Sequence, residues 1–163
     1  MPSKELLGTY LNDHLAGAAA GVELAEKLAA TYQGTPFGAA VAAVAGEIKV
    51  DRETLEGLME RLGIGRSPTK RAAGWVFEKV TRLRFNRQLT GSEDLTRLLE
   101  TETLSLGIEG KAAMWEALKG MDGLDAELGR ADFDRLIFRA RQQREALEPH
   151  RLEAATGAFH DDD

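Results

Sequence analysis

Cysteine is absent from this chain. Disulfides, thiolate zinc sites and cysteine nucleophiles are therefore excluded together. Long hydrophobic runs are also missing. The most apolar stretch, Phe37 to Gly46, is about half of what a membrane span requires. The opening residues, Met1-Pro-Ser-Lys-Glu5, lack the apolar core of a signal peptide, so a cytoplasmic, soluble protein is expected. No Gly-rich phosphate loop, Ser-His-Asp spacing or recognisable paired-acid motif occurs, and no internal repeat or low-complexity linker breaks the chain. The reading therefore leans away from an enzyme.

What is present is helical periodicity. At 163 residues, with 43% hydrophobic and 29% charged residues, the chain suits one globular domain, residues 1–163, able to bury a core without staples. Leu7, Leu11, His14, Ala18, Gly21, Ala25, Leu28 and Tyr32 recur in steps of four and three, a single line along one helix face. That line predicts a first helix from Ser3, a capping hydroxyl, to about Gln33. Its Gly17–Gly21 segment is costly for a helix, so a close partner helix is expected against it. Thr35-Pro36 opens a second helix to about Leu62, with Phe37, Val41, Val44, Ile48, Asp51, Leu55, Leu58 and Leu62 inward. One of those inward positions, Asp51, is an acid. The two helices form an antiparallel hairpin.

A second long hairpin is predicted. Ser92 to about Lys119 carries Leu95, Leu98, Leu99, Leu106, Ala113 and Ala117 toward the core, with Glu102 and Glu109 at its edge. Leu104, Ile108, Trp115 and Leu118 then form an opposite apolar side, suited to cover by another element or subunit. The last helix begins near Asp132 and reaches about Thr156. Its inner line is Phe133, Ile137, Ala140, Leu147, Ala154 and Ala158; Arg144 and Arg151 fall on that line, with Gln143 and His150 beside it. Pro149 should bend or interrupt this helix, and residues 157–163 should fray.

Between the hairpins, a helix at about residues 67–85 is expected to cross over. Charge is concentrated there. From Arg61 to Arg87 eight basic residues face one acid, +7, leaving −13 on the rest of a chain whose total is −6. The basic surface comprises Arg66, Lys70, Arg71, Lys79, Arg82 and Arg84. Such a stripe could meet nucleic-acid phosphate or an anionic membrane, but the acidic remainder opposes both, and docking on the chain's own bundle is the expectation.

Two helical hairpins joined by a long helical connection resemble the ferritin-like superfamily of four-helix bundles. Tyr10-Leu-Asn-Asp-His-Leu-Ala-Gly17 and Glu100-Thr-Glu-Thr-Leu-Ser-Leu-Gly-Ile-Glu109 look like phrases of a bacterial group in that superfamily to which no activity attaches. The resemblance implies an all-α, up-down bundle. It does not bring the metal chemistry with it, because neither Glu-x-x-His motif is present: Leu11 precedes His14 by three residues, and Leu147 precedes His150. In place of metals, the expectation is an internal network drawn from His14, Asp51, Glu102, Glu109, Arg144 and Arg151. His14 would pair with a neighbouring acid. The alternative is a carboxylate-bridged iron or manganese site with irregular ligands, Glu47 and His150 being its further candidates. The expected partner is another protein or a second copy of the chain.

Overall fold

The computed structural model describes residues 3–67, 91–121, 128 and 131–160. Four helices make up this part: α1 (Lys4–Thr31), α2 (Pro36–Arg61), α3 (Glu93–Lys119) and α4 (Phe133–Ala158). No strand occurs among the described residues, and no described helix is long and apolar enough to cross a membrane. The expected basic stretch from Lys70 to Arg84 lies outside the described residues; Arg66, within them, pairs with Glu56 at 3.3 Å.

Each helix begins on a polar side chain that accepts from an otherwise unbonded amide of the first turn. Ser3 accepts from Leu6, Thr35 from Gly38, Ser92 from Leu95 and Asp132 from Arg135. The α1–α2 turn is tight. Gly34 adopts a φ of 83°, and Gly38 lies so close to the Tyr32 carbonyl that a Cβ would overlap it. Tyr32 and Phe37 close the turn with an edge-on ring contact, centroids 5.0 Å apart.

The helices pack as a ring: α1 on α2, α3 on α4, α1 on α3 and α2 on α4. Their directions follow from named contacts. Glu47 and Asp51 of α2 meet Gln143 and Arg139 of α4 in reverse order, so those two run antiparallel. Lys119–Asp134 and Arg151–Glu102 show the same for α3 and α4. At one end, the foot, Leu7, Leu11, Leu58, Met59, Trp115, Leu118 and Leu136 share one apolar cluster. At the other, Ala25, Leu28, Phe37, Val41, Leu104, Ala140 and Leu147 share a second. Thus α2 and α3 both descend toward the foot. Beyond α2 the chain is pinned to α1: Asn12 donates to the Gly65 carbonyl at 3.1 Å and accepts from the Ser67 amide at 2.7 Å.

Several expectations need correction. On α3 the buried line is Leu104, Ile108, Trp115 and Leu118, while Leu106, Ala113 and Ala117 are exposed. The side taken as outer is the core, and Trp115, wholly buried, is no subunit contact. The rotation differs because Lys111 stands in the inward line, where a cation suggests solvent. Among the described residues no helix lies close against Gly17 or Gly21; a Cβ at either meets nothing within 4 Å. The last helix runs without interruption through Pro149 to Ala158.

Candidate functional site

The periodicity of α2 carries Asp51 inward between Ile48 and Leu55, and its carboxylate is only 1% exposed. A buried carboxylate needs charged or hydrogen-bonding partners. Three side chains supply them. Lys111 of α3 donates to Oδ2 at 2.5 Å, Arg139 of α4 donates from Nη2 to Oδ1, and Gln143 of α4 donates from Nε2 to Oδ2 at 3.1 Å. Gln143, itself buried, also accepts from Lys111 at 2.6 Å and donates to Glu47 at 3.0 Å. Its amide orientation follows from these partners: the oxygen faces the ammonium and the nitrogen faces two carboxylates. Asp51, Lys111, Arg139, Gln143 and Glu47 thus form one network binding three helices at mid-height, where the two apolar clusters meet. Burial pushes the Lys111 ammonium below its ordinary value despite the pull of Asp51, and Arg139 adds to that depression.

The sequence-predicted residues distribute differently. Asp51 is the inward member. Arg144 and Arg151 make ion pairs at the outer seam of α3 and α4 rather than inside. Arg144 binds Glu109 with both side chains about half exposed, and Arg151 binds Glu102 at 3.1 Å and Glu148 at 2.7 Å. Their helix phase is turned outward from the assumed one: Gln143 holds the inner position and Arg144 lies beside it. The paired acids raise the already high Arg151 value, and Arg151 in turn lowers Glu148. His14 is half-buried on α1, set edge-on to Tyr10 with centroids 4.6 Å apart. Burial lowers the His14 imidazole, and Asp13 offsets this only in part. His150 packs on the Phe37 ring at 5.5 Å. Phe37 lies ten residues, about 15 Å along α2, from Glu47, so His150 and Glu47 do not share a site. Glu100, which sequence reasoning missed, is buried on α3 and bound by Lys27 of α1 at 3.2 Å.

Lys111 and Arg139 were also missed. The signal for Lys111 was available: Leu104, Ile108, Lys111, Trp115 and Leu118 step by four and three, so the line holds one cation as the α2 line holds one anion. These are two halves of one buried pair.

Beside the network an apolar cleft of about 500 Å³ opens between α1 and α3. Gly17, Ala18 and Gly21 line it on α1, Gly107 and Gly110 on α3, with Ile48 and Leu55 of α2 among its apolar residues. His14, Asp51, Lys111 and Trp115 also border it. Cleft and network therefore share Asp51 and Lys111.

The donor set does not suit a metal pair. Among the described residues no three His, Asp or Glu side chains cluster so as to hold a metal ion. The buried carboxylate that could ligate is bonded to two cations, which would repel a third. No family model matches the chain, and no curated protein or solved structure is significantly similar to it.

Proposed function

We propose that the chain is a ferritin-like bundle without metal chemistry, a non-catalytic binding protein whose interior charge network stands where metals would. The observation that carries this reading is Asp51, its carboxylate held by Lys111, Arg139 and Gln143. A bridging carboxylate must offer lone pairs to cations from outside; this one is already neutralised within the chain. The network fixes the middle of the bundle, leaving the cleft beside it and exposed apolar residues such as Leu106 as contact surface.

The ferritin-like topology has its own support. Since α2 and α3 both descend, the end of α2 and the start of α3 lie at opposite ends of the bundle, roughly 40 Å apart for helices of this length. A long connection between the two hairpins, as in ferritin-like bundles, fits that separation. Proteins or a second copy of the chain are the partners in this reading, and the cytoplasm its setting.

Elemental analysis of the purified protein, after exposure to iron(II) or manganese(II) and dialysis, tests it. Well under one metal per chain is expected. One or two metals per chain, lost on Asp51→Ala, would replace this reading with the carboxylate-bridged one.

A further inference from the structure

We propose that the cleft between α1 and α3 binds a carboxylate-headed apolar molecule, its body along the glycine-lined walls and its head at Lys111 and Trp115. This goes beyond protein interaction and names a small-molecule site.

Room and lining come first. The cleft, about 500 Å³, is within the size range of small-ligand sites and is lined mainly by apolar side chains. Its width is written in the sequence: a Cβ at Gly17, Gly21, Gly107 or Gly110 would meet nothing within 4 Å. Glycine in a helix interior is unfavourable, and among the described residues no packing against a neighbouring helix offsets it at these four positions.

Two donors then define the head. Trp115 is wholly buried, borders the cleft, and its indole N–H has no acceptor among the described residues. Buried donors are nearly always bonded, so this one marks a place for an acceptor. Lys111 lies one helical turn away on the same face of α3, and two of its three ammonium protons go to Asp51 and Gln143.

Charge selects the acceptor. Lys111 and Arg139 share the carboxylate of Asp51, and Glu47, at the α2–α4 end of the network, balances the second cation. Glu47 acts on Lys111 through its charge but does not border the cleft, and Lys111 keeps one ammonium proton beyond those given to Asp51 and Gln143. At the cleft, Asp13 and Arg52 are of opposite sign, Arg52 being tied to Glu56 at 3.2 Å, and His14 is held toward its neutral form by burial. An anionic head can accept from both Lys111 and the Trp115 N–H, whereas a cationic head would meet Lys111 and offer no acceptor.

Isothermal titration of the full chain with decanoate, decanol and decyltrimethylammonium, each below its micelle concentration, is the test. Decanoate is expected to bind one to one and more than about tenfold tighter than decanol, as a hydrogen bond to a charged group allows. Decyltrimethylammonium should not bind. Gly21→Leu, whose Cβ has open space and whose side chain enters the cleft, should weaken decanoate about tenfold or more while leaving the melting temperature equal to or above that of wild type. Trp115→Phe leaves a smaller aromatic ring and removes the N–H; the lost volume bears on both ligands alike, so the missing N–H should weaken decanoate more than decanol. Lys111→Met should abolish the preference between them; should that variant not fold, Trp115→Phe decides the head position. Absence of decanoate binding, equal binding of all three amphiphiles, or undiminished binding to Gly21→Leu would overturn the proposal.

Discussion

At Asp51 a carboxylate stands in an apolar stripe with both oxygens bonded, and truncating it leaves Lys111 and Arg139 facing each other in a buried space. Asp51→Ala should therefore destabilise by about 3–5 kcal/mol in chemical denaturation. Lys111→Met should cost less, because Arg139 and Gln143 still hold the acid. Arg144→Ala removes a half-exposed pair and should cost no more than about 1 kcal/mol, which separates the interior network from the seam. His14 adds a pH dependence. Burial lowers its folded-state value below the ordinary 6.5, so the unfolded chain takes the proton more readily. The stability it contributes is complete above pH 6.5 and falls as the pH drops through that value toward the lower folded one. Between pH 7.5 and 5.5, wild type should accordingly lose more stability than His14→Gln; an equal loss would show that His14 has the same affinity for protons in both states.

At the scale of helices, the sequence made boundaries legible and rotation only in part. Caps and breakers are local chemistry, and Ser3, Thr35-Pro36, Ser92 and Asp132 each start a helix where their side chains predict. The α2 line was legible too, since Phe37 to Leu58 is interrupted by one polar residue alone. On α3, leucines occur on two sides, and which side is buried depends on Asp51, sixty positions away from Lys111. No property local to α3 holds that information. The same long-range dependence hid Arg139 and promoted Arg144. Glycine likewise has two meanings that pattern alone does not separate. Gly38 is a close-packing residue against the Tyr32 carbonyl, and Gly38→Ala should destabilise by about 1–3 kcal/mol. Gly21 borders open space, and Gly21→Leu should leave stability unchanged or raise it by up to about 1 kcal/mol in the same melts. A large loss at Gly21 would mean that α1 packs closely there after all.

For the whole molecule, the two apolar clusters account for the ends of the bundle and the charge network for its waist. The all-helical bundle was readable because two hairpins of matched length leave few other ways to bury their stripes. The nature of the waist was not, because an inward Asp serves a metal and a lysine equally well until its partners are known. Thermal melting with and without manganese(II), on wild type and Asp51→Ala, tests the central claim most directly. A self-contained network predicts no metal-dependent shift in either protein and a markedly lower midpoint for Asp51→Ala. A rise of several degrees in wild type on adding manganese, abolished by Asp51→Ala, would contradict it.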